Sequence, residues 1–383
     1  MKWFSLLVVF DLIFFSVFSM PEVAAAQSPI PNPAPERREY YQGLAVCAPD
    51  AYPQEPERCL PMGPSSTLTQ FYQYGLSFPA QPLPVKPIPT GLGTVPYTYL
   101  LASDKRVPVF GSLNDAAANR PRREIPAGRV YLAYKQRVEN GDGVFYQFQS
   151  GEWIRGESVL SRVGYSSESR AVLVTAAPRA NFAWLIESVE TLSAPGVQGK
   201  PTGHKIPIYS LIAAYDTRKV DGYNWTMVGI NEWVEDRLVA KVIYNPTPPR
   251  DVTTGRWVEI NTGRQTVSVY ENNRLIFAAL VATGIQKLAT RPGVFEVYKK
   301  VPAEHMTTSL VSDPNDFYYL ESVPWTVYFD EGRALHGIYW RTNLGRPASH
   351  GCVNMTVADS RWLYEWVKEG DAVYVWDGIT PYP

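Results

Sequence analysis

The sequence lacks an excess of either charge. Lys and Arg total 36 against 37 Asp and Glu, a formal net charge of -1. A nucleic-acid-binding surface needs a basic surplus or a basic stripe, and the chain has neither. It has no acidic tail either. After the N-terminal region no stretch is long and apolar enough to read as a membrane span. Cysteine and histidine are scarce, at three and four in 383 residues. What the chain does have is apolar content of 45% and 33 prolines. The first excludes a largely disordered chain, and the length fits two or three domains.

The first 26 residues, "MKWFSLLVVFDLIFFSVFSMPEVAAA", run from Lys2 through an apolar stretch to small residues. This is the order of a secretory signal, with Ala24 and Ala26 ahead of a cleavage point. The apolar stretch carries Asp11, so an uncleaved anchor through residues 3–20 is the alternative. Either way the remainder is expected outside the cytoplasmic membrane. No cysteine follows the run, which argues against a lipoprotein anchor. Cys47 and Cys59 lie close together in "CAPDAYPQEPERC", the spacing of a small disulfide loop in an exported chain. Cys352 is then an odd thiol.

Residues 27–95 are rich in proline and small polar residues and read as an extended spacer. Short strand patterns then begin, and they repeat. Val107-Pro108-Val109-Phe110 is answered by Ile206-Pro207-Ile208-Tyr209, and Glu152-Trp153 by Glu232-Trp233. Each copy is a run of short strands joined by Gly, Asn and Asp turns, the pattern of a small barrel. The Trp after a hairpin resembles bacterial SH3-like domains, which implies two SH3-like modules at 96–165 and 166–245. "YNPTPPR" at 244–250 is a linker.

The last domain is expected over 252–378. Val267, Val269, Leu275, Phe277, Val294, Phe295 and Val297 fall in strand patterns, with turns at Asn261-Thr262-Gly263 and Glu271-Asn272-Asn273. Thr356 reads as the N-cap of a helix, with Asp359 completing a capping box and Gly370 ending it. Ala358, Trp362 and Trp366, with Leu363 beside them, form its apolar face. Between strands and helix lies "HGIYWRTNLGRPASHGCVNMT", residues 336–356, which holds Cys352 and two of the histidines.

One thiol and two imidazoles in one loop suit nucleophilic catalysis. A thiol pKa of about 8.5 must fall, or a base must take the proton. His336 and His350 are the candidate bases. Backbone N–H groups at Ser349, Gly351 and the helix start are candidate oxyanion donors. Gly351 leaves room for a substrate carbonyl. A three-ligand zinc site and a structural cysteine both remain open on residue chemistry alone; a four-ligand zinc site would need His204 or His305, far away in sequence.

The stretch "HG…W……G.P.SHGCVNM", with "TGIQKLATRPGVFEV" and "VPWTVYFDEGRALHG" before it, is very similar to the signature of YkuD-like L,D-transpeptidases. The resemblance spans Arg256 to Trp376. It implies a mainly β chain whose C-terminal sandwich carries one short helix after the catalytic loop, and no cofactor or metal. It implies that Cys352 attacks the amide between the diamino acid and D-Ala of a peptidoglycan tetrapeptide stem, releases D-Ala and passes the acyl group to an acceptor amine. L,D-carboxypeptidase action, or a non-catalytic wall-binding role, are the alternatives. His336 matches the general base, and His350, Gly351 and Ser349 match the residues beside the nucleophile. Tyr339 and Trp340 match the loop bordering the donor groove, and with Asn354 they are the expected substrate-binding residues. Asn354 stands where many members have arginine, and Arg291-Pro292 where threonine-proline is usual. Carbapenem-type β-lactams are implied as inhibitors, stem peptides as the only macromolecular partners, and the N-terminal segment as the only membrane contact.

Overall fold

The computed structural model describes residues 45–46, 59–60, 83–178, 180–308 and 316–378. Two compact units divide the chain, 1–75 and 76–383. In the first, the described backbone is a parallel pair of two-residue strands, Ala45–Val46 and Cys59–Leu60. The expected signal or anchor segment and the Cys47–Cys59 disulfide lie outside the described residues. Everything below concerns the second unit.

That unit is mostly β. Its seven-stranded sheet runs, edge to edge, Gly293–Glu296, Ala372–Trp376, Arg256–Asn261, Thr266–Glu271, Arg274–Leu280, Ala171–Val174 and Val85–Pro87. The hairpin between Thr266–Glu271 and Arg274–Leu280 turns at Asn272 and Asn273, both at positive φ (51° and 59°). Asparagine tolerates that region, which is why the two-residue turn forms there. A second sheet has nine strands, with Tyr318–Asp330, Arg333–Gly337 and Val353–Met355 side by side at one end. The two sheets share a core: Val258, Val269 and Phe277 from the first are buried with Val327, Leu335 and Val353 from the second.

The helix after the loop is Val357–Trp366, and Thr356 Oγ1 accepts from the Asp359 N–H at 3.1 Å, as a cap should. Ala358 and Leu363 are buried and Trp362 stacks on Phe277 with ring centroids 4.1 Å apart. The Asp359 carboxylate in turn hydrogen-bonds the Thr356 side chain. It also accepts from Ser169 Oγ and the Arg170 N–H, fastening the helix start to a segment 189 residues away. Gly370 does not end the helix: the cap falls at Val367, and the Gly370 N–H donates to the Val297 carbonyl.

The expected pair of SH3-like barrels is the main departure. Both repeats do carry the same local order: a hairpin, a short strand holding a buried tryptophan (Trp153 or Trp233), a single 3-10 turn (Gly156–Ser158 or Asp236–Leu238), and a last strand. Yet among the described residues no sheet closes on itself. The first repeat gives its long strand, Arg129–Asn140, to the nine-stranded sheet, pairing Arg129, Val130 and Tyr131 in parallel with Tyr318, Tyr319 and Leu320. The Tyr318–Asp330 strand allows this because it bends. Ser322 and Trp325 sit at φ 49° and 57°, and beyond them the strand pairs with Arg333–Gly337. Tyr99 of the first repeat stacks on Tyr339 at 3.5 Å, which seals the junction. In the second repeat, Arg264 reaches the buried Asp236 at 2.6 Å, and Lys241 reaches the same carboxylate at 3.1 Å.

Candidate active site

Three strands bring the loop residues together. Arg333–Gly337 and Val353–Met355 run parallel, with His336 opposite Asn354. This register puts position 352 just before a strand whose neighbour carries His336. Cys352, His336, His350, Ser349, Trp340 and Asn354 all line one cavity of about 240 Å³.

His336 is only 2% exposed, and its Nδ1 lies 3.1 Å from the Gly337 carbonyl oxygen. A carbonyl only accepts, so Nδ1 carries the hydrogen and Nε2 keeps a lone pair. Burial, with Arg341 repelling a second charge, pushes the imidazole down to about 4. The ring is therefore a neutral base at physiological pH. The Cys352 thiol is partly exposed and lies 3.9 Å from the Gly332 carbonyl oxygen. Burial raises its pKa, against a smaller opposing effect of the Ala334 N–H and Arg333. The sequence expectation of a depressed thiol is thus reversed. The resting pair is neutral thiol and neutral imidazole, because the low-dielectric surroundings penalise both charges.

The rest of the loop is shaped from below. The Ser349 N–H donates to the Thr283 carbonyl at 3.1 Å, and the Gly351 N–H to Ser349 Oγ at 3.1 Å. Two of the three expected oxyanion donors, the Ser349 and Gly351 N–H groups, therefore have protein partners that fix the loop's shape. Gly351 holds φ at +113°, and a Cβ there would lie 3.0 Å from Arg333 Nε, so only glycine fits without strain. The Gly351 carbonyl accepts from Thr290 Oγ1 at 2.9 Å. Behind it, Gln265 holds Thr283 through two hydrogen bonds of 2.7 and 2.9 Å. Arg291 pairs with Asp330, which also holds Arg333 at 3.1 Å, so the residue replacing threonine braces the strand beside the thiol. Arg291 is the largest influence holding the Asp330 carboxyl below its ordinary range.

His350 turns from the thiol toward Asp316, with Nε2 and Oδ2 2.6 Å apart, and its ring lies 5.0 Å from that of Tyr318. Asp316 also receives Arg129 at 2.7 Å. Tyr339 was expected at the donor groove, but it is 1% exposed, packed on Tyr99, with its hydroxyl donating to the Glu321 carbonyl. Trp340 lines the cavity, its ring 5.8 Å from His336. Sequence reasoning missed Arg129, Tyr131, Tyr318, Asp316 and Arg341. The first two come from a distant repeat, and no local pattern marks any of them. Among the described residues no three His, Cys, Asp or Glu side chains converge as metal ligands.

Residues 255–375 match the YkuD family model, the L,D-transpeptidase catalytic domain. A YkuD-type catalytic domain therefore lies near the C-terminus. YciB of Bacillus subtilis (strain 168), named as an L,D-transpeptidase, is 20% identical over 145 residues, 31% of this chain and 64% of that protein. The crystal structure of an L,D-transpeptidase from Stackebrandtia nassauensis is 29% identical with a TM-score of 0.27, covering 33% of this chain and 58% of that one. The catalytic domain of the E. faecium L,D-transpeptidase, solved by NMR, is 22% identical with a TM-score of 0.29, covering 32% of this chain and 98% of that one. The chain thus spans less than two thirds of the length of YciB and of the Stackebrandtia protein. The YkuD match begins beyond both repeats, so Arg129 and Tyr131 of the cavity wall lie outside it.

Proposed function

We propose that the chain is an exported peptidoglycan L,D-transpeptidase. The observation that carries this is the pairing, on one cavity, of a partly exposed thiol with a buried imidazole whose Nε2 lone pair is unprotonated. Cys352 Sγ attacks the carbonyl of the amide that joins the diamino acid to D-Ala, and His336 Nε2 takes the thiol proton as the C–S bond forms. Both groups start uncharged, so bond formation and proton transfer run together. The C–N bond then breaks, His336 returns the proton to the departing amine, and D-Ala leaves. The side-chain amine of a second stem opens the thioester, passing a proton through His336 back to sulfur.

Ser349 and Gly351 hold the loop that presents the thiol, and His350 and Asn354 complete the wall. Trp340 borders the donor. The chemistry needs neither metal nor organic cofactor. Carbapenem-type β-lactams acylate the same sulfur, since a strained lactam carbonyl is an acyl donor of the same kind. Residues 1–26 direct or anchor the chain at the extracytoplasmic membrane face, and the proline-rich stretch between them and the sheet strand Val85–Pro87 gives it reach into the wall.

The test is mass spectrometry of disaccharide tetrapeptides incubated with the protein. Loss of D-Ala with a cross-linked dimer supports transfer. Loss of D-Ala with addition of water alone marks a carboxypeptidase. No change in either, with fully reduced enzyme, refutes the proposal.

A further inference from the structure

The cavity contains cations that the thiol chemistry does not use. The Arg341 side chain enters its wall, mostly buried, and Nη1 donates to the Ala348 carbonyl at 2.9 Å. Its Nε and Nη2 are buried and have no hydrogen-bond partner among the described residues. Among the described residues no carboxylate neutralises it. Burial, and repulsion from Arg129 on the same wall, lower its affinity for its own proton. A guanidinium with two unsatisfied buried donors is costly to hold empty. Its fork geometry matches a planar carboxylate. Arg129 is the more exposed of the two and shares its charge with Asp316 at 2.7 Å, which leaves Arg341 as the principal seat.

We propose that Arg341, assisted by Arg129, binds the free C-terminal carboxylate of the donor peptide, on the residue that leaves. The identity of the ligand rests on the transpeptidase reading; the demand for a carboxylate beside the thiol does not. Covalent geometry sets the placement. In a leaving amino acid the carboxylate carbon lies about 3 to 4 Å from the carbonyl carbon that sulfur attacks. The anion must therefore enter the cavity into which Cys352 opens, and Arg341 lies on that wall. A donor one residue longer carries its charge about 3.5 Å farther out, beyond this seat. Arg341 is thus a specificity residue: it selects stems that end one residue after the scissile amide. Because Arg129 belongs to the first repeat, that repeat completes the donor site.

Two alkylating reagents of nearly equal size test the charge requirement without turnover. Iodoacetate carries a carboxylate where iodoacetamide carries a neutral amide. The rate of each at Cys352 is read by mass spectrometry of the peptide containing it. The iodoacetate-to-iodoacetamide ratio is expected to fall about tenfold in Arg341→Gln, the loss of one charge-assisted hydrogen bond. It should fall less in Arg129→Gln and be largely kept in Arg341→Lys. The iodoacetamide rate in each variant reports that the thiol site is intact. In parallel, the wild type should prefer a tetrapeptide acid over its C-terminal amide, and Arg341→Gln should lose that preference. An unchanged reagent ratio in Arg341→Gln overturns the proposal. A carboxylate-dependent ratio in a protein that turns over no stem peptide upholds the carboxylate seat and refutes the transpeptidase reading alone.

Discussion

The buried His336 and the half-buried Glu321 should give this protein opposing pH responses that nearly cancel. His336 is pushed down from 6.5 to about 4 by burial. Glu321 is pushed up from 4.5 to about 7, again chiefly by burial, although the Ala133 N–H donates to it at 3.0 Å. For His336 the folded pKa is depressed, so below pH 6.5 the unfolded chain binds the extra proton. Stability present above 6.5 is lost as pH falls toward 4. For Glu321 the folded pKa is raised, so its contribution is complete below 4.5 and is lost as pH climbs to 7. Each displacement is worth roughly 3.5 kcal/mol. From these two groups alone, the wild type should therefore change little in unfolding free energy between pH 4.5 and 6.5. Removing one partner exposes the other. His336→Gln should lose about 3.5 kcal/mol from pH 4.5 to 7, and Glu321→Gln should gain about as much from pH 4 to 6.5. Urea titrations at half-unit pH steps, at constant slope, measure both. His305, lowered by burial, adds to the rising limb in all three proteins and cancels in the comparison. If both variants follow the wild-type profile, neither group is buried as described and the neutral-base mechanism fails with them.

Cys352→Ala should give no acyl-enzyme mass with any stem peptide, because no other side chain on the cavity is a comparable nucleophile. Gly351→Ala forces a side chain onto φ +113° and against Arg333, so we expect loss of acylation and a fall in unfolding free energy of about 1–3 kcal/mol, read by urea titration. Tyr99→Phe deletes a 2.9 Å hydrogen bond to the Ser322 carbonyl and should cost about 1 kcal/mol in the same titration. Tyr99→Ala, which also empties the stack on Tyr339, should cost about 3–5 kcal/mol. A cost confined to hydrogen-bond size in Tyr99→Ala would mean that the junction is not packed as described.

Local chemistry was legible in the sequence, and long-range pairing was not. The Thr356 cap, the Asn272-Asn273 turn and the alternating strands of 256–280 are set by neighbours a few residues apart, and each forms where its pattern predicts. Gly351 is equally local, whereas the strand Val353–Met355 after Cys352 was not read from the sequence. The repeats misled for a physical reason. Their strand-turn-strand order is real, but which edge a strand joins depends on the partner available, and Arg129–Asn140 finds Tyr318–Asp330. The direction of the thiol shift depends on burial, which a loop sequence does not reveal. Tyr339 was misplaced because Tyr99, 240 positions earlier, competes for its ring.

The strands Val85–Pro87 and Ala171–Val174 extend the seven-stranded sheet past Arg274–Leu280, while Arg129–Tyr131 covers the first residues of Tyr318–Asp330. A fragment cut to 252–378 would carry the nucleophile yet leave two raw strand borders with unpaired amides and carbonyls, inviting self-association. The chain is braided rather than beaded: what looks like an accessory preceding the catalyst is part of the frame on which it is stretched.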